Sequence, residues 1–127
     1  MSQRDDRDAA DLLHLIGYLY LQSGQRPRGL VLLLVANRLA PTHTGILHAL
    51  CQGFLASGQG QRALNTIERI EAAETNPPGP ALTLLKGRAQ ALNGDTDQAR
   101  ASYRDYLARR RLAHAEESGR PEREVDA

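Results

Sequence analysis

"QSGQRPRGL" (residues 22–30), "ASGQGQRAL" (56–64) and "LNGDTDQAR" (92–100) read as three copies of one turn. Gly24, Gly58 and Gly94 fall in register, at spacings of 34 and 36 residues. An apolar stretch precedes each glycine, and a small residue (Gly29, Ala63 or Ala99) follows five positions later. A glycine tolerates the positive φ that ends a helix. A small residue near the start of the next helix lets the two approach closely. The pattern is that of an antiparallel helix pair repeated about every 34 residues, the tetratricopeptide period.

The register extends outward from the turns. Repeat one runs through Leu13, Ile16, Gly17, Tyr20, Gly29, Leu33, Ala36 and Pro41, and repeat two through Leu47, Leu50, Cys51, Phe54, Ala63, Ile67 and Ile70. Repeat three keeps Gly87, Ala99, Tyr103 and Tyr106. Pro41 ends the second helix of repeat one because proline lacks the amide that would continue it. "TNPPGP" (75–80) separates repeats two and three and carries the two extra residues. Asp95 and Gln98 have capping-box spacing at the start of the last helix. Apolar residues follow helical spacing, and no alternating run bounded by hairpin turns competes. The fold expected is all-α, a tetratricopeptide-repeat solenoid of three helix pairs with a C-terminal helical extension. Its divisions are a polar segment over 1–9, a repeat domain over 10–118 (repeats about 10–43, 44–77 and 80–111) and a disordered tail over 119–127. Gly119 and Pro121 are the stop signals after a last helix reaching about Ser118.

Composition narrows the function classes. Sixteen Lys and Arg against fifteen Asp and Glu leave a net charge of +1, no electrostatic footprint for nucleic acid or an anionic membrane. A single cysteine, Cys51, allows no intrachain disulfide framework and favours a reducing compartment. "MSQRDDRDAAD" is polar and has no apolar h-region of a secretory signal. The longest apolar run is far below the ~20 residues that span a bilayer.

That run, Leu30 to Val35 within "GLVLLLVANRLAP" (29–41), raises a question of cover. The second helix of each repeat should turn four positions outward: Asn65, Thr66, Glu68 and Arg69 in repeat two, and Ala101, Ser102, Arg104 and Asp105 in repeat three. The same positions in repeat one are Val31, Leu32, Leu34 and Val35. Leu30, Leu33, Ala36 and Leu39 already supply that repeat's core, so the second apolar face is surplus. Left wet, such a patch marks an interaction site. A partner or a second copy is the expected cover. The chain's own ends are the alternative, through Leu112 and Ala113 more than through the polar N-terminus.

On the opposite surface, the first helices of the repeats should line a groove of His14, Tyr18 and Leu21, then His48, Gln52 and Leu55, then Leu84, Arg88 and Ala91. This mainly apolar lining suits an amphipathic or extended segment of another protein. It lacks the Lys, Asn and Arg clamp with which some tetratricopeptide adaptors hold a C-terminal carboxylate.

Catalytic and metal chemistry find no residue set. His14 and His48 recur at one repeat position, but both rings would have to lie within about 2.1 Å of an ion. Equivalent residues on neighbouring helices sit roughly 10 Å apart. Cys51 takes the place of Gly17 and Gly87, where packing demands a small side chain, and reads as a buried structural cysteine rather than a reactive thiol. No phosphate-binding glycine loop or nucleophile motif is present. "GDTDQA" lacks calcium-loop spacing. Arg109, Arg110 and Arg111 read as a solvated helix end. No enzymatic activity, cofactor or metal is expected.

"LLHLIGYLYLQSGQ", "LAPTHTGILHALCQGFLASGQGQRAL" and "LLKGRAQALNGDTDQARASYRDYLARR" together resemble the small Y-type export chaperones of bacterial type III secretion systems, the YscY-like (SctY-like) tetratricopeptide proteins. The resemblance covers residues 11 to 111, and "KGRAQALNGDTDQARASYRDYL" is its most distinctive block. It implies a chaperone without ATPase activity in the bacterial cytoplasm. That chaperone would bind an X-type early export substrate (YscX-like, SctX-like) as a heterodimer, and the pair would engage the large cytosolic domain of the export gate. Contact with the membrane would be only through the secretion apparatus. A translocator-type secretion chaperone and a generic tetratricopeptide scaffold or adaptor are the alternatives.

Overall fold

The three glycine turns adopt one geometry. In the computed structural model, which describes residues 3–76 and 78–119, Gly24, Gly58 and Gly94 have φ of +88°, +74° and +83°. Around each, two backbone bonds close the preceding helix. Gln25, Gln59 and Asp95 donate to the carbonyls of Tyr20, Phe54 and Gln90 at 2.9, 2.8 and 2.9 Å. The glycine amides donate to Leu21, Leu55 and Ala91, each at 3.1 Å. This is the Schellman arrangement, which satisfies carbonyls that a helix end would otherwise leave open.

Six helices result: α1 (Gln3–Gln22), α2 (Arg26–Leu39), α3 (Thr44–Ala56), α4 (Gly60–Ala73), α5 (Pro80–Leu92) and α6 (Thr96–Gly119). No strand occurs among the described residues. Each helix packs on its sequence neighbours, α1 also touches α3, and α3 also touches α5. That contact order is a helical-repeat solenoid of three pairs, all-α as expected. The seven largest fully buried side chains, Leu33, Ile46, Leu47, Leu50, Cys51, Ile67 and Ile70, all lie on α2, α3 and α4, so the core sits in the middle of the stack.

Pair closure is tightest at the N-terminal end. A Cβ on Gly29 would meet the Gly17 carbonyl oxygen at 2.8 Å, and one on Gly17 would meet Leu33 Cγ at 2.9 Å. At the equivalent crossing of α5 and α6, a Cβ on Gly87 would find its nearest neighbour, Ser102 Cβ, at 3.4 Å, an ordinary contact. No residue of α6 is fully buried.

Several local expectations are corrected. Residues 3–9 are not a separate segment. They form the first turns of α1, where Asp5 and Asp6 lie at the positive end of the helix dipole. Gly119 is still helical, and residues 120–127 of the expected tail, like Pro77 of the break, lie outside the described residues. No side-chain hydrogen bond joins Asp95 and Gln98, so their capping-box spacing is not used. Thr66, expected outward, is buried and its hydroxyl donates to the Arg62 carbonyl at 2.8 Å. Its position lies three residues after Ala63 and four before Ile70, on the side of the helix that faces its pair. Ser102 repeats this, half-buried, donating to Gln90 Oε1 at 2.6 Å. Leu32 is the half-buried member in repeat one.

Candidate partner-binding surfaces

The apolar run on α2 divides cleanly. Leu30, Leu33 and Ala36 are buried, whereas Val31, Leu34 and Val35 remain between 41% and 59% exposed. Neither described end of the chain covers them. α6 contacts no helix but α5, and Leu112 is itself exposed. The first residues of α1 lie instead beside Leu39, Ala40 and Thr42, at the far end of α2. The intramolecular cover weighed for this patch is therefore absent among the described residues. Tyr20, Pro27 and Arg28 border Val31 and Leu32 in an open cleft of about 480 Å³.

The same pair carries a second apolar stripe that the run of leucines in α2 had overshadowed. Leu12, Leu15 and Leu19 on α1 are between 56% and 58% exposed. They occupy the positions of Ile46, Ala49 and Gly53 in α3 and of Leu82, Leu85 and Ala89 in α5. All six of those residues are buried, because a preceding pair packs on them. No described pair precedes the first. Repeat register was the signal that could have found this stripe, once the ends of the stack were considered as well as its faces.

The expected groove residues are divided among several environments. Leu55 is only 6% exposed and belongs to the core. Leu21 is half-buried and wedges between α2 and α3, its methyl carbons lying 2.9 Å from a Cβ built on Gly29 and 3.3 Å from one built on Gly53. Neither is free to line a groove, because each fills the gap between its own pair and the next first helix. Tyr18, Gln52 and Arg88 are exposed; His14, His48 and Leu84 are half-buried. Leu84, Arg88 and Ala91 come together in a groove between α5 and α6, which the residues of the first two pairs do not reach.

Electrostatics explain the histidines and the cysteine. The His14 ring meets His43 edge-on, with centroids 5.5 Å apart. His43 Nδ1 accepts from the Ile46 amide at 3.2 Å and caps α3, and its Nε2 lies 3.6 Å from Asp11 Oδ1. Burial lowers the His14 pKa below its ordinary 6.5; His43 adds to that shift and Asp11 opposes it. His48 faces Glu74 at 4.0 Å. Burial pushes the Cys51 thiol up to about 11, against a smaller opposing effect of Arg88. A thiol so held is protonated at neutral pH and lies in the interior, as structural cysteines do. No group of three or more His, Cys, Asp or Glu among the described residues is placed to hold a metal ion. No described helix is long and apolar enough to cross a membrane.

Stacked helix pairs, with apolar surface left open at the first pair and a groove at the last, define a helical-repeat protein. The particular kind follows from comparison with known proteins. The chain is 35% identical over 97 residues to chaperone protein YscY of Yersinia enterocolitica and to that of Yersinia pestis, an alignment covering 76% of this chain and 83% of each relative. It belongs to the YscY family of type III secretion chaperones. No family model matches it.

Proposed function

We propose that this chain is a cytosolic chaperone that binds an X-type (YscX-like) early export substrate as a heterodimer and presents it to the cytosolic domain of the export gate. It works by binding and has no catalytic step. One observation carries the reading beyond the family: the first pair leaves Val31, Leu34 and Val35 exposed, and no part of the described chain covers them. Burying one such side chain contributes roughly 1.5–3 kcal/mol, so a substrate helix laid over the three gains enough to hold a complex. His14, Tyr18, His48 and Gln52 on the first helices are the proposed polar and aromatic contacts of the same substrate, with Leu84 and Arg88 farther along. Leu21 and Leu55 support those helices from within.

The test is co-expression with and without the X-type substrate. The lone chain is expected to self-associate, and the substrate to relieve this. The triple variant Val31→Asn, Leu32→Thr, Val35→Arg, copied from the corresponding positions of repeat two, should keep the lone chain monodisperse by size exclusion and weaken the complex at least tenfold. Unchanged binding by a variant with an unchanged thermal melt would remove the patch from the interface. A variant that unfolds would show that these side chains belong to the core.

A further inference from the structure

The last pair of the described stack presents an unfilled seat. In the first two pairs, the residues that receive the next first helix come from fixed repeat positions. Leu21 and Leu30 meet α3 at Gly53, beside the buried Leu33; Leu55, Leu64 and Ile67 hold the same positions in the second pair. The third pair carries Ala91, Arg100 and Tyr103 at those positions. Among the described residues no helix follows α6, which runs on to Gly119 and touches only α5. The seat therefore stays open as the groove of about 500 Å³ between α5 and α6, apolar along Leu84, Ala91 and Tyr103. Tyr103 is half-exposed there, where its counterparts Leu33 and Ile67 are fully buried.

The open seat differs from the two filled ones in charge. Arg88, Arg100 and Arg104 rim it. Their counterparts are Gln52, Leu64 and Glu68 in repeat two, and Tyr18, Leu30 and Leu34 in repeat one. None of the three arginines has a hydrogen-bond or ion-pair partner among the described residues, and Lys86 nearby is already paired with Glu71 at 3.5 Å. Asp95 and Asp97 are the only acidic residues between Pro80 and Arg104, and neither pairs with these arginines. An unfilled apolar seat with an unneutralised cationic rim selects its occupant by charge as well as by shape.

We infer that the groove between α5 and α6 seats an amphipathic helix of a partner protein that turns small and apolar residues inward and carboxylates toward Arg88, Arg100 and Arg104, supplying the first helix of a fourth pair. Helix size at the crossing argues against a second copy as occupant. A seated first helix needs a small residue where α3 has Gly53 and α5 has Ala89. Even a Cβ on Gly53 would lie 2.7 Å from Leu30 Cδ2. α1 carries Leu19 at that position, so its exposed stripe is too bulky to approach as α3 and α5 do. This inference takes up Leu84 and Arg88, proposed above as substrate contacts, and does not depend on the patch on α2.

The test uses the full chain and a labelled helical peptide built on α5, keeping Leu82, Leu85 and Ala89 as its apolar face and carrying glutamates on the flank that meets the rim. A matched peptide carries lysines there. Fluorescence anisotropy should show the glutamate peptide binding at least tenfold more tightly than the lysine peptide, with affinity falling as salt rises. Arg100→Glu should weaken the glutamate peptide at least tenfold and restore binding of the lysine peptide, a rescue that loss of folding could not produce. Val31→Asn should change neither. Equal binding of the two peptides, or indifference to Arg100→Glu, would overturn the proposal. So would concentration-dependent self-association of the chain that Arg100→Glu abolishes, since the occupant would then be a second copy.

Discussion

Two glycines at the crossings of different helix pairs carry opposite consequences for substitution. Gly29 sits where α1 and α2 cross, and a methyl group there would come within 2.8 Å of a backbone oxygen that has no room to move. Overpacking of this kind costs about 1–3 kcal/mol, more than the ~0.5–1 kcal/mol that alanine gains over glycine inside a helix. Gly87, the counterpart of Gly17 on the other side of the crossing, faces an ordinary contact at 3.4 Å in the third pair. Gly29→Ala should therefore lower the free energy of unfolding by about 1–2 kcal/mol, and Gly87→Ala should raise it by up to ~1 kcal/mol, both read from chemical denaturation. The sequence pattern announces that small residues belong at both places. It does not reveal that one crossing is tight and the other loose, because that depends on what lies opposite each glycine: the Leu33 side chain and Gly29 oxygen for Gly17, and Ser102 Cβ for Gly87. Thr66 teaches the same lesson. A hydroxyl looks like a surface group in the sequence, yet it is buried once it can donate to the carbonyl four residues back.

Among the elements, the helix pairs and their turns were legible before any coordinates, since positive-φ glycine and helical apolar spacing are local properties that three in-register copies reinforce. Element ends were less so. The polar residues of α1 are helical because acidic side chains suit the first turn and Ala10 is buried against the pair, neither of which creates an apolar period. The leucine stripe of α1 was not singled out, because periodicity identifies a face without saying whether a neighbour exists to cover it. For α6 the length was legible but its isolation was not. It has 24 residues, ~36 Å of helix, and every described residue beyond Arg109 is exposed. Arg109 is its last anchor, donating to the Pro78 carbonyl at 2.9 Å and to Asp105 Oδ2 at 3.0 Å. Ending the chain after Arg111 should therefore change the unfolding free energy by no more than about 0.5 kcal/mol, measured by thermal and urea melts. A larger loss would mean that the projecting turns are braced by contacts the structure does not contain.

At the scale of the whole molecule, stability in such a stack is a sum of pair terms and interface terms. The fully buried large side chains gather on α2, α3 and α4, and α6 contributes none. Native-state hydrogen exchange should follow that order: slowest in α3 and the first half of α4, faster in α5, fastest in α6 after Arg109. Uniform protection along the chain would contradict a nearest-neighbour stack. The attachment of α6 to a single neighbour also has a mechanical meaning. A pull on α3 is shared among α1, α2, α4 and α5, whereas a pull on the C-terminal end of α6 loads its one interface with α5 alone, across a floor of Gly87 and Ala99. Because α5 meets α6 more extensively than it meets α4 and α3, tension at that end should part the third pair from the second before it parts the two helices of the pair. A chain drawn away from the last pair could be released at low force while one gripped by the first two pairs stays bound.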